Sequence, residues 1–195
     1  MSHDDAPLAA QTRHVEALLE SRGLLDGAEL DRALEAFLAK ASPANGARVA
    51  ARAWVDEGFR SRLLEDANAA VEELGLSMGG GIQPQRLKVV ANSETEHNVI
   101  VCTLCSCYPI ALLGPSPTWY KSEAYRSRVV RDPRSVLADF GTVLPDDVHI
   151  TVWDASAETR YMVLPRKPAD AAEDEDEDEL AAMVSRNGLI GTAVL

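Results

Sequence analysis

All three cysteines of this chain fall within six residues, at Cys102, Cys105 and Cys107, and that spacing dictates a loop. On an extended strand Cys105 and Cys107 would share one face and Cys102 would take the other. The three sulfurs meet only if residues 102–107 curl. In such a curl the backbone nitrogens of Ser106 and Cys107 lie between the last two sulfurs. Two thiolates and those two nitrogens can form a plane, with Cys102 as an axial fifth ligand and one position open. An open position is what separates a catalytic metal site from a closed structural one. The competing arrangement is structural zinc with four tetrahedral ligands, for which His97 is the nearest completing residue; His3, His14 and His149 are more distant. Spacing alone leaves both arrangements standing. An odd number of cysteines in one cluster does argue against a secreted disulfide framework.

Charge narrows the partners. Thirty-one acidic residues stand against 19 basic ones in 195 residues, a formal charge of −12, so no cationic excess exists to displace counterions from a nucleic acid. Seven of the acids form one run, residues 173–179, within an expected solvated loop over 170–179 whose charge suits the dipole of a following helix. Apolar runs fall far short of the ~20 residues that span a bilayer. The N-terminus, Met1-Ser2-His3-Asp4-Asp5, has neither the basic nor the apolar part of a secretory signal. A cytoplasmic protein with no nucleic-acid or membrane partner is expected, and its 46% hydrophobic residues suffice for a core.

Helical spacing runs through the first eighty residues. Helices are expected over 8–22 (Val15, Leu18, Leu19) and over 28–40, capped by Asp26 with Leu30, Leu34, Phe37 and Leu38 on one stripe. Ser42-Pro43 reads as an N-cap with proline at the first helical position, opening a helix to about Trp54. Further helices are expected over 56–64 and 68–74. The run Met78-Gly79-Gly80-Gly81 then divides a helical arm, residues 1–78, from a second domain, residues 79–195. Beyond it, residues 87–90 and 98–104 read as strands, and 118–130 and 134–140 as helices. Residues 148–153 and 160–164 suggest a strand pair, 180–184 a short helix and 189–195 a last strand. The expected fold class is α+β, a helical arm followed by a layered α-β-β-α domain that carries the cysteine loop.

Val101-Cys102-Thr103-Leu104-Cys105-Ser106-Cys107-Tyr108-Pro109 resembles the metal-binding motif of nitrile hydratase α subunits. Trp119-Tyr120-Lys121-Ser122, Ala124-Tyr125-Arg126-Ser127-Arg128-Val129-Val130, Val152-Trp153-Asp154, Ala157-Glu158-Thr159-Arg160-Tyr161, Leu164-Pro165 and Leu189-Ile190-Gly191 follow at the family's spacing. Upstream, Ala53-Trp54-Val55-Asp56 and Gly81-Ile82-Gln83 also fit. The resemblance spans roughly residue 10 to the C-terminus.

The resemblance implies a hydro-lyase that converts R–C≡N to R–C(=O)NH2 at a non-corrin trivalent cobalt or low-spin trivalent iron centre. The metal ligands it implies are Cys102, Cys105, Cys107 and the backbone nitrogens of Ser106 and Cys107, with Cys105 a sulfinate, Cys107 a sulfenate and Cys102 a thiolate. Thr103 and Tyr108 match the cobalt branch and favour cobalt over iron. Cys107 is the implied nucleophile or base, Ser106 supplies a nitrogen ligand and can orient the site with its hydroxyl, and Gln83 lines the pocket. The net negative charge of such a centre calls for cationic donors. Arg126, Arg128, Arg131 and Arg134 are candidates within the chain, while family members take theirs from a β subunit. A β-type partner, contacted by the helical arm, and a cobalt-delivering activator protein are implied as well.

Three departures from the family pattern stand out. Ile110-Ala111 replaces Trp-Pro, Ala91 replaces an acidic residue, and the acidic run replaces a shorter glycine-containing loop. Loss of the tryptophan points to a bulkier substrate, such as a heteroaromatic nitrile, and to the three-subunit kind that acts on toyocamycin. The alternatives are the metal subunit of thiocyanate hydrolase and a zinc-stabilised interaction module.

Overall fold

The computed structural model describes residues 6–78, 85–105, 107–172 and 175–195. They divide into two compact units, Met1–Lys40 and Ala41–Leu195. The boundary expected at residues 78/79 adjoins residues 79–84, which lie outside the described residues.

The first unit holds α1 (Ala6–Ser21) and α2 (Gly27–Lys40). The Asp26 carboxylate accepts from the Glu29 amide at 3.0 Å and starts α2 as the sequence predicts. No residue of α2 is buried, and Leu30, Leu34, Phe37 and Leu38 remain exposed along one helical stripe.

The second unit opens with α3 (Pro43–Val55), α4 (Glu57–Glu65) and α5 (Ala67–Glu73). Each begins at a side-chain cap, the first of which the sequence announced: Ser42 accepts from Ala44 N, Asp56 from Phe59 N and Asp66 from Ala69 N. The buried face of α3 is small, with Ala47, Val49, Ala50 and Ala53, which permits close approach of its neighbours. Next come β1 (Arg86–Ala91) and β2 (Glu96–Val101), then α6 (Ile110–Leu113), α7 (Thr118–Lys121), α8 (Glu123–Val129) and α9 (Pro133–Asp139). β3 (His149–Asp154), β4 (Thr159–Leu164), α10 (Glu177–Met183) and α11 (Arg186–Ile190) complete the chain. The class is α+β. No described helix is long and apolar enough to cross a membrane.

The strands form two separate parallel pairs, β1 with β4 and β2 with β3. Residues 148–153 and 160–164 were expected to pair with each other; instead each joins an earlier strand, in registers that run Arg86↔Thr159 to Ala91↔Leu164 and Glu96↔His149 to Val101↔Asp154. Period-2 alternation identifies a strand but not its partner. β2, with His97 to Val101 all buried, shows the near-continuous burial of a covered parallel strand. Phe59, Leu63, Ile100, Leu112, Met162, Leu164, Leu189 and Ile190 fill the core. Each such side chain stabilises the fold by roughly 1.5–3 kcal/mol relative to exposure.

Three further elements depart from expectation. The helix expected over 118–130 is two, because Ser122 breaks it and caps α8 through Tyr125 N. The acidic run is not all loop: Asp176 and Glu179 form a capping box and Glu177 pairs with Arg52 at 2.9 Å, so α10 starts three residues before Leu180. The strand expected over 189–195 is instead α11 and a turn. Ser185 caps α11 at Gly188 N, and Gly191, at φ +90, closes it in the left-handed conformation.

At Gly191 a side chain is excluded twice, by φ and by β2, since a Cβ there would stand 2.8 Å from Val99 Cα and closer still to the Asn98 carbonyl oxygen. Gly191→Ala is therefore expected to destabilise the chain by at least ~2 kcal/mol in chemical denaturation. An unchanged midpoint would mean that the contact between α11 and β2 is not built as described.

Candidate metal centre

The cysteine segment leaves the buried end of β2 and curls at once. Val101 and Cys102 are buried, Cys105 is exposed and Cys107 lies between. Cys105 Sγ stands 3.4 Å from Cys102 Sγ and 3.2 Å from Cys107 Sγ, and all three sulfurs lie within 4.8 Å of one another. The Cys105 amide points at Cys102 Sγ at 3.4 Å.

Groups from outside the loop hold this curl. The register of β2 with β3 sets Asp154 opposite Val101, and its carboxylate accepts from Thr103 N at 2.9 Å and Thr103 Oγ1 at 2.6 Å. Tyr120 donates its hydroxyl to the Cys107 carbonyl at 3.0 Å, and Tyr125 donates to Ile100 O at 2.7 Å. Arg126 Nη1 reaches the carbonyls of Thr103 and Cys105, each at 3.4 Å. Edge-on aromatic contacts brace the tyrosines, with ring centroids 5.0 Å apart for Tyr108–Tyr120 and 4.9 Å for Trp119–Tyr125.

The electrostatics suit a cation. Burial pushes the Cys107 thiol up to about 12; its hydrogen bond to Cys105 adds to this, and nearby Arg160 opposes it. Three converging soft sulfur donors suit cobalt, iron or zinc. The residues present therefore fit a bound metal.

His97 does not join them. Its Nε2 lies 2.7 Å from Gly191 O and its Nδ1 3.3 Å from Asn92 Nδ2, so both ring nitrogens are engaged elsewhere. Among the described residues no histidine, cysteine or carboxylate adds a fourth ligand to the cysteine cluster, which removes the Cys3His arrangement. Among the described residues Arg126 hydrogen-bonds the loop, whereas Arg128 pairs with Asp139 at 2.8 Å and Arg134 donates to Leu144 O, Pro145 O and Val148 O. Ser106 and Gln83 lie outside the described residues. Asp154 and Tyr120 were quoted only as parts of motifs. Their roles have no signal in local sequence, because both act across long separations in the chain.

A cluster of three sulfurs on a curled loop at the end of a parallel strand, in an α+β unit, defines a metal-binding protein. The family described as nitrile hydratase, alpha chain, matches residues 6–193. The low-molecular weight cobalt-containing nitrile hydratase subunit alpha of Rhodococcus rhodochrous is 47% identical over 187 residues, covering 96% of this chain and 88% of its own. The thiocyanate hydrolase subunit gamma of Thiobacillus thioparus is 40% identical, covering 92% and 76%. A double mutant of the Fe-type nitrile hydratase from Comamonas testosteroni superposes with a TM-score of 0.90 at 37% identity, covering 99% of this chain and 92% of that one. The chain belongs to the nitrile hydratase alpha-chain family.

His97 carries a consequence for pH. Burial lowers its pKa below the ordinary 6.5, against the hydrogen bond to Gly191, which raises it. The unfolded chain therefore binds this proton more readily than the folded one, so the contribution of neutral His97 is complete above 6.5 and fades as pH falls below it. Glu94, Arg166 and Lys167 line the same hollow of about 520 Å³ and are the other charged groups there. Denaturation curves between pH 7 and 5 should show a shallower acid-side loss for His97→Gln than for the parent chain; equal slopes would count against the buried neutral histidine.

Proposed function

We propose that this chain is the metal-binding subunit of a nitrile hydratase that adds water across R–C≡N to give R–C(=O)NH2, with nothing oxidised or reduced in the net step. The observation that carries this reading is the convergence of Cys102, Cys105 and Cys107 within 4.8 Å on an anchored loop. Cobalt is the proposed metal, supported by the cobalt-containing relative at 47% identity and by the resemblance of Thr103 and Tyr108 to the cobalt branch. Cys102, Cys105, Cys107 and the backbone nitrogens of Ser106 and Cys107 would hold it, and when bound it would supply Lewis acidity.

The chain's own groups do the rest. With Cys105 as the sulfinate and Cys107 as the sulfenate, oxygen stands on two of the ligand sulfurs, and the Cys107 sulfenate oxygen acts on the nitrile carbon or takes a proton from water. Ser106 orients the site with its hydroxyl, and Gln83 holds water or the nascent amide. A β-type subunit completes the site, contacted by the helical arm of residues 1–78; the exposed stripe Leu30, Leu34, Phe37 and Leu38 supports that role. An activator protein delivers the cobalt. A second reading, hydrolysis of thiocyanate at the same centre, is supported by the 40% identity to the gamma subunit, and assays with both substrates separate the two.

Ile110 and Ala111 follow the cysteine loop and are half-buried at the start of α6. Smaller side chains at this pair favour bulkier nitriles, including the heteroaromatic kind handled by three-subunit relatives. A higher kcat/KM for a bicyclic heteroaromatic nitrile than for a small aliphatic one is expected, and the reverse order would remove this specificity.

The decisive measurement is elemental analysis of the chain co-produced with its partner in cobalt-supplemented cells. About one cobalt per chain is expected; zinc alone at that stoichiometry would return the cluster to a structural role. Cys107→Ser should lower turnover at least ~1,000-fold and Gln83→Ala about tenfold. Unchanged turnover in Cys107→Ser would sink the sulfenate role.

A further inference from the structure

Among the described residues Arg126 is the candidate arginine whose hydrogen bonds reach the cysteine loop. Helix α8 holds it in place, capped by Ser122 and pinned by the neighbouring Tyr125, whose hydroxyl donates to Ile100 O in the strand that feeds the loop. From there a single guanidinium nitrogen reaches two carbonyls of the loop, those of Thr103 and Cys105. Arg126 makes no ion pair among the described residues, and its buried Nε has no hydrogen-bond partner. A guanidinium is charged at every relevant pH, and burying one of its N–H groups unpaired is unfavourable. That arrangement makes sense when the loop beside it carries negative charge.

The two carbonyls have different consequences. Thr103 is gripped from both sides, its amide and hydroxyl by Asp154 and its carbonyl by Arg126. The Cys105 carbonyl lies on the backbone of a cluster cysteine, so holding that oxygen restrains the backbone that carries the Cys105 sulfur. Leu104, 90% exposed, stands between the two gripped residues and contributes no packing that could do this instead.

We propose that Arg126 is a positioning residue of the metal centre, holding the Thr103 and Cys105 carbonyls and lending permanent positive charge to the loop that carries the ligand sulfurs. This inference rests on the reading that the loop holds cobalt or iron. It assigns to this chain itself part of the cationic support that the resemblance places on a partner.

The test compares Arg126→Gln and Arg126→Lys with the parent, each co-produced with the partner subunit in cobalt medium. The readouts are cobalt per chain, the sulfur-to-metal charge-transfer band, kcat and KM separately, and melting temperature. Arg126→Gln should lose about tenfold in metal retention under chelator challenge or in kcat, with a shifted band and KM within about twofold. Arg126→Lys, which keeps the charge but not the planar fork, should recover metal retention in part while its band stays shifted. Parent-like cobalt, band and kcat in Arg126→Gln overturn the proposal. An equal loss in both variants that follows a shared drop in melting temperature also overturns it, in favour of a purely structural arginine. If Arg126→Gln does not fold, Arg126→Lys decides alone: a shifted band supports the role and a parent-like band with parent-like kcat ends it. A parent protein holding neither cobalt nor iron overturns the metal reading and this inference with it; a metal-loaded parent beside unaffected variants overturns only the inference.

Discussion

The parallel pairing of β2 with β3 sets the geometry on which the site depends. Its register puts Val101, the last strand residue before the cysteines, level with Asp154, and the ladder continues through a 2.7 Å bond from Ala155 N to Val101 O. A slip of one residue would turn the Asp154 side chain to the other face of the sheet. Thr103 would then lose both of its bonds to the carboxylate, and the curl would lose its best-defined anchor. The burial of β2 opposes such a slip, since Val99, Ile100 and Val101 are almost wholly removed from water.

The same strand is also secured by polar contacts of its own side chains. Asn98 donates to Ala91 O at 2.9 Å and accepts from Trp153 Nε1 at 2.7 Å, while His97 meets the Gly191 carbonyl. Buried polar groups satisfied in this way fix one arrangement among many apolar packings of similar energy. The C-terminal turn, both strand pairs and the loop are thus linked through a few directional bonds. The loop itself is short and partly exposed, and is held largely by residues far from it in sequence.

Local signals were legible where local physics decides. Ser42-Pro43 and Asp26 marked helix starts because a cap acts within three residues, and the cysteine spacing required a curl because strand alternation allows nothing else. The α+β class and the three-sulfur cluster followed from the same kind of reading, and the motif strings carried the family. Partner choice among strands was not legible, since the side chains of 148–153 would alternate alike beside β4 or β2. The C-terminal apolar run misled because five residues of helix and five of strand look alike until Ser185 and Gly191 are weighed as cap and stop. The seven-acid run hid a helix start within what reads as solvated charge. Asp154 and Tyr120 act on the loop through tertiary structure alone.

The strand pairing also orders events in time. Val101 and Asp154 sit on adjacent strands, yet α6, α7, α8 and α9 lie between them in the chain. As the polypeptide leaves the ribosome, the three thiols emerge well before the carboxylate that shapes their loop. Contacts between such distant segments form late in folding, after the closure entropy of the intervening chain has been overcome. The three thiols therefore exist for an interval without the carboxylate contact that shapes their loop, and the anchored three-sulfur cluster is complete only once synthesis has moved past β3.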